Sequence, residues 1–145
     1  SNLFNMHDEE VKKFFQLIQK YIGKAVEDSG WNNPSNNFSV TSAWSIINFK
    51  SSSNSRHIHS NNYISAAYYV KAPKKCGDII FYDPRSARLI RKPKTNTGNF
   101  LNAEVINIKP QEGLLVLFPS YLYHSVEENL SDDERVVISF NLDTR

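Results

Sequence analysis

Lys109-Pro110-Gln111-Glu112-Gly113-Leu114-Leu115-Val116-Leu117-Phe118-Pro119-Ser120-Tyr121-Leu122-Tyr123-His124-Ser125-Val126 reads as a turn, a buried strand with a proline stop, and a short strand that carries a histidine. Gly113 bounds the apolar run, and Pro119 cannot donate to a ladder and so closes it. Eleven residues past His124 begins Arg135-Val136-Val137-Ile138-Ser139-Phe140-Asn141. Side chains alternate across a strand, so Val136, Ile138 and Phe140 share a wholly apolar face. Arg135, Val137, Ser139 and Asn141 share the other. A guanidinium, a hydroxyl and an amide are an odd set to bury unless an anionic ligand meets them. The guanidinium fork fits a carboxylate bidentately, as a lysine could not. The plainer alternative for Arg135 is a strand-edge pairing with Asp132, Asp133 or Glu134, a kind of contact that stabilises little.

Working outward, the same period of two recurs at Phe38 to Phe49, Tyr63 to Val70, Asp78 to Tyr82, Ala87 to Arg91 and Glu104 to Ile108. With Leu114 to Phe118, Tyr123 to Val126 and Arg135 to Leu142, the expectation is about eight strands in a sandwich or barrel. Ser51 to Arg56 and Lys92 to Asn99 are polar joints, read as loops that could flank a pocket mouth. Ahead of the strands, Val11, Phe14, Phe15, Ile18, Ile22, Ala25 and Val26 form the stripe of one amphipathic helix. Asp8 suits its N-cap, Glu9 and Glu10 its positive end, and Gly30 lies just beyond its stop. Such a helix packs on the outside of a sheet.

At 145 residues, 40% of them hydrophobic, the chain suffices for one domain with a sizeable core and is short for two. The net charge of +2 comes from scattered residues, apart from a basic stretch at Arg85 to Lys94, so no nucleic-acid partner is expected. The lone Cys76 forms no internal disulfide, which fits a reducing cytoplasm and gives Cys76 a structural place near a turn. No apolar run approaches the ~18 residues of a membrane span, and no signal-peptide core is visible, so neither a membrane nor secretion is expected. The start at Ser1 rather than Met leaves room for a strand ahead of it.

Chemistry enters with His57 and His59, one residue apart, and with the distant His124. On a strand His57 and His59 would point the same way, with Cα atoms about 7 Å apart, close enough to share one ion. Imidazole suits Fe, Zn, Cu and Ni, and three ligands leave positions open for substrate or oxygen. A His-x-His pair in a Ser- and Asn-rich segment is by itself more often two solvated side chains. The context of both segments tips the balance toward a metal. His7 has no partner at ligand spacing.

His57-Ile58-His59, then Ser65-Ala66-Ala67-Tyr68-Tyr69-Val70, then Gly113 through Pro119 to His124-Ser125-Val126, then Glu134-Arg135 with Ser139-Phe140-Asn141, resembles the Fe(II)/2-oxoglutarate oxygenases of bacteria and cyanophages. The likeness covers the last two thirds of the chain. It implies one domain over 1–145: an outer helix in 1–30 and a double-stranded β-helix, the cupin-like jelly roll, over 31–145. It further implies an iron-dependent dioxygenase that hydroxylates an unknown substrate, a small molecule or a protein side chain, with dioxygen, releasing succinate and CO2 from 2-oxoglutarate. A cytoplasmic protein, phage-encoded in a host cell, fits the same likeness. By motif position His57, His59 and His124 would hold Fe(II), and Arg135 the distal carboxylate of 2-oxoglutarate. Tyr69, where prolyl-hydroxylase-like enzymes place a tyrosine, and Ser139 would join Arg135, with Tyr68 the fallback for a register slip.

One position departs from the superfamily, whose facial triad is His-x-Asp or His-x-Glu with a distant His; here the second place is His59. A neutral donor leaves the ion fully dipositive, so its redox tuning and its hold on an anionic cosubstrate should change. Two other ligand sets stay open: His59-Ser60-Asn61 as the first motif, or Asp83 reaching in from a neighbouring strand. Trp44, Ile46, Asn48 and Tyr63 are candidate cavity walls. Two further functions compete with the first: a three-His cupin-type dioxygenase that uses no keto acid, and a non-catalytic jelly-roll binding module.

Overall fold

The computed structural model describes residues 8–31, 38–85, 93–99 and 101–144. Helix α1 (Glu9–Asp28) starts where the Asp8 side chain accepts from the Glu10 N–H, satisfying one of the free donors of the first turn. It ends through Gly30, at φ +66°, where Gly30 N–H donates to Glu27 and Trp31 N–H to Val26. This left-handed turn returns two orphaned carbonyls to partners, and glycine adopts it without strain.

Eight strands follow among the described residues: β1 (Phe38–Asn48), β2 (Asn54–His57), β3 (Ile64–Lys71), β4 (Ile79–Tyr82), β5 (Val105–Ile108), β6 (Leu115–Pro119), β7 (His124–Val126) and β8 (Arg135–Thr144). They form two four-stranded sheets in the orders β1-β8-β3-β6 and β2-β7-β4-β5, with antiparallel neighbours throughout. The last strand lies between β1 and β3, and β7 between β2 and β4, so the chain winds back and forth between layers. This is the double-stranded β-helix, mainly β with an outer N-terminal helix.

The alternation in β8 separates two cores. Phe140 and Leu142, with Ala43, Ile64 and Ala66, meet Ile18, Ile22 and Val26 of α1 on the outer face. Phe14 sets its ring edge-on to Tyr68 at 5.2 Å, so Tyr68 belongs to the helix side. On the inner face Val137, Ala67, Tyr69, Val116 and Phe118 pack against Ile79 and Phe81 of the second sheet. Truncating a ring as buried as Phe140, 0% exposed, costs about 3–5 kcal/mol. The two faces of one strand thus hold the helix outside and enclose a cavity inside.

Three expectations need correction. Residues 54–56 are not loop: they open β2, which pairs with β7 and exposes most of its side chains, so it lacks apolar alternation. His57 and His59 do not alternate along one strand, because His57 ends β2 and His59 lies beyond it. Tyr63 is no wall of the inner cavity; it is 56% exposed, beside Asn61, Asn62 and Asp143 in a separate polar hollow. The expected strand at Ala87 to Arg91, and His7, lie outside the described residues. No helix among the described residues is long and apolar enough to cross a membrane.

Candidate metal centre and anion pocket

Pairing of β2 with β7 sets His57 directly opposite His124, and His59 is brought back when its N–H donates to the Ser120 carbonyl at 3.0 Å. Ring centroids stand 4.2 Å apart for His57 and His124, 5.2 Å for His57 and His59, and 5.1 Å for His59 and His124. One ring nitrogen of each lies within 4.8 Å of the other two. Among the described residues no carboxylate joins this group: Asp83 binds Arg85, and Asn61 lines the separate hollow.

The outward nitrogens explain which atoms are free. His57 Nδ1 faces the Ser55 carbonyl at 2.7 Å and His124 Nδ1 the Leu122 carbonyl at 3.1 Å. Carbonyls only accept, so each Nδ1 carries a proton, and it is Nε2 that holds the lone pair when the ring is neutral. His59 Nδ1 lies 2.8 Å from Asn141 Oδ1. Burial pushes the His124 imidazole down to about 4, against the Leu122 contact that raises it, and burial also lowers His59. Neutral rings with bare Nε2 atoms are the state a divalent metal needs. Trp44 stacks on His59 at 5.6 Å, and Phe118 meets His124 edge-on at 4.7 Å, so the rings are held by aromatic walls.

The same cavity, of about 210 Å³, is lined by Trp44, Ile46, Asn48, Tyr69, Arg135 and Ser139 as well as the three histidines. Arg135 is 1% exposed. Its Nη1 donates to the Cys76 carbonyl and lies near those of Gly77, at 3.3 Å, and Glu127, at 3.4 Å. Its Nη2 is buried without a hydrogen-bond partner among the described residues. The nearby acids are engaged elsewhere, Asp132 with Lys50 and both Asp133 and Glu134 with Lys71. Desolvation lowers the guanidinium pKa, whereas burial pushes the Tyr69 hydroxyl up to about 12 and the Arg135 charge opposes that rise. A buried, unsatisfied cationic donor costs stability unless a ligand completes it. The orphaned Nη2 therefore fits a carboxylate, and the histidine donor set fits a ferrous ion.

Two features of the site escaped sequence reasoning. Gly77, at φ +84°, passes so near the segment that follows β7 that a Cβ there would lie 2.5 Å from the Glu127 carbonyl oxygen, so this contact shapes the carbonyl cradle of Arg135. Asn141, read from sequence as facing an anion, instead turns its Oδ1 to His59 Nδ1. A glycine before a strand and an asparagine within one carry no distinguishing local signal.

The sequence matches the family described as "Putative 2OG-Fe(II) oxygenase" over residues 42–141. No curated protein matches it. Among solved structures, it is similar to an oxidoreductase of the 2OG-Fe(II) oxygenase family from Burkholderia pseudomallei, with TM-score 0.66 and 9% identity over 92% of this chain and 57% of that one. A prolyl-4-hydroxylase from Pseudomonas putida aligns with TM-score 0.63 and 13% identity, over 99% of this chain and 72% of that one. HygX from Streptomyces hygroscopicus, solved with nickel and 2-oxoglutarate, gives TM-score 0.59 and 12% identity, over 94% and 68%. At such identities these likenesses show the fold, and the chain spans little more than half of the Burkholderia protein. The family match covers most of this chain, including all three histidines and Arg135, and the chain belongs to the 2OG-Fe(II) oxygenase family.

Proposed function

We propose that the protein is an Fe(II)- and 2-oxoglutarate-dependent dioxygenase, with His57, His59 and His124 holding the metal through Nε2 and Arg135 anchoring the keto acid. The observation that carries this reading is Arg135, a buried residue of the cavity that the histidines also line, whose Nη2 has no acceptor among the described residues. When bound, iron and 2-oxoglutarate supply the oxidation of a substrate C–H bond by dioxygen, with succinate and CO2 as co-products.

The chain's own residues bind, orient and exclude water. Arg135 supplies the charge that selects a dicarboxylic acid over a monocarboxylic one, and Tyr69 and Ser139 are hydroxyl donors on the same cavity wall. Ile46, Ile79, Phe118, Val126 and Val137 make much of that wall apolar, which strengthens the charge interactions inside it. Asn54 and the exposed His57 place the histidine end of the cavity nearest solvent, where a substrate would approach. A soluble cytoplasmic setting and a phage-encoded origin remain part of this reading.

A second reading rests on the donor set, three imidazoles with no carboxylate among the described residues. It is a cupin-type dioxygenase whose substrate chelates the metal directly, without a keto acid. Anaerobic calorimetry with Fe(II) followed by 2-oxoglutarate separates the two. Metal-dependent binding of 2-oxoglutarate that acetate cannot mimic supports the first, and Fe(II) binding with no response to 2-oxoglutarate supports the second.

A further inference from the structure

His59 is the one histidine of the three whose Nδ1 partner is a side chain, and that side chain sits in a closed ring of hydrogen bonds. Asn141 is 7% exposed, and Ser65 and Ser120 are 0% exposed. Asn141 Oδ1 receives the Ser65 hydroxyl at 2.9 Å as well as facing His59 Nδ1 at 2.8 Å. Its Nδ2 donates to Ser42 Oγ at 3.0 Å. A serine has one hydroxyl proton, so Ser65, having given its own to Asn141, accepts from Ser120 Oγ at 2.7 Å. The Ser120 carbonyl in turn accepts the His59 N–H at 3.0 Å. Strand register makes this row: Ser42, Asn141 and Ser65 stand side by side on β1, β8 and β3.

We propose that Asn141 is a positioning residue: through this ring it holds His59, which no strand supports, as a neutral Nε2 donor in the place where the superfamily's triad has a carboxylate. The inference rests on the three-histidine metal reading. An amide accepts the hydrogen bond without adding charge, so the centre keeps the full charge of its ion. The ring depends on the amide orientation. Turned over, Nδ2 would donate to His59 Nδ1, move the imidazole proton to Nε2 and close that face to a metal.

The test uses metal-free protein with 15N-labelled imidazoles, read by 1H–15N correlation spectra above the imidazole titration range, and anaerobic titrations with Fe(II) and Co(II). In the parent the His59 proton resides on Nδ1. In Asn141→Leu the Nε2–H tautomer becomes populated and metal affinity falls about 10–100-fold, the usual cost of losing a ligand's outer partner. Asn141→Asp keeps the Nδ1 proton, returns the affinity to within a few-fold of the parent, and lowers the Fe(III)/Fe(II) midpoint potential, because the added charge favours the ferric ion. A His59 proton on Nε2 in the parent, or a folded Asn141→Leu with parental tautomer and affinity, overturns the proposal. Should Asn141→Leu not fold, an unchanged potential in Asn141→Asp overturns it equally. A parent that shows the Nδ1 tautomer yet binds no metal leaves the role of Asn141 in place and refutes the metal reading instead.

Discussion

Replacing Arg135 with methionine should separate ligand binding from folding, because on the proposed reading the guanidinium counts oppositely in the two. Without ligand it is a cation 1% exposed, with one nitrogen on backbone carbonyls and Nη2 on nothing among the described residues. An unsatisfied buried donor costs about 1–3 kcal/mol, and an apolar side chain of similar length removes that cost along with the carbonyl contacts. The ligand-free Arg135→Met protein should therefore unfold within about 1 kcal/mol of the parent. With 2-oxoglutarate the balance reverses. Removing one partner of a buried charge pair costs about 2–5 kcal/mol, which is roughly thirtyfold to several thousandfold in Kd. At 2-oxoglutarate a hundred times the parent's Kd, and saturating Mn(II) as a redox-inert stand-in for Fe(II), the parent gains about 2.7 kcal/mol and the variant less than about 1. Calorimetry gives the affinities, and urea unfolding with and without ligand gives the stabilities. Equal keto-acid affinity in the two proteins, or a ligand-free loss of several kcal/mol, would refute the assignment of Arg135 to the ligand.

Other consequences follow from neighbouring residues. Tyr69→Phe removes one hydroxyl beside the guanidinium and should weaken 2-oxoglutarate by about 1 kcal/mol while sparing metal affinity, a split that parallel titrations of each ligand would reveal. Gly77→Ala must push the Glu127 carbonyl away, so stability should fall by about 1–3 kcal/mol and keto-acid affinity should fall with it; unfolding curves and calorimetry check both. In metal-free protein His124 titrates near 4 rather than 6.5, so the unfolded chain takes up its proton first as pH falls. The stability linked to His124 is then complete above pH 6.5 and is lost between 6.5 and about 4, about 3 kcal/mol in all. Urea unfolding across that window, compared with His124→Gln, isolates the effect; identical pH dependence in both would contradict it.

Where long-range order coincides with local pattern, the sequence was readable. The stripe from Val11 to Val26 with Asp8 and Gly30 around it marks α1, and the alternation from Arg135 to Asn141 names both cores, because one strand is buried on both faces. Arg135 was legible for the same reason: a charge at a buried register position needs a cause. β2 was not legible, since an edge strand with exposed Ser, Arg and His side chains owes its conformation to β7 rather than to its own residues. His57 and His59 come together for a reason other than the one their spacing suggests, through the pairing with His124 and the Ser120 carbonyl. Asn141 and Gly77 act through partners 82 and 50 residues away, His59 and Glu127, and no local period encodes such contacts.

A crystal grown without oxygen and soaked with Fe(II) and 2-oxoglutarate would decide the matter in one measurement. One ion should lie about 2.1 Å from the Nε2 atoms of His57, His59 and His124, the usual metal–imidazole length, with the far carboxylate of the keto acid on Arg135 Nη2. An ion bound elsewhere, a fourth ligand from a carboxylate side chain, or a keto acid that leaves Arg135 Nη2 without a partner would contradict it.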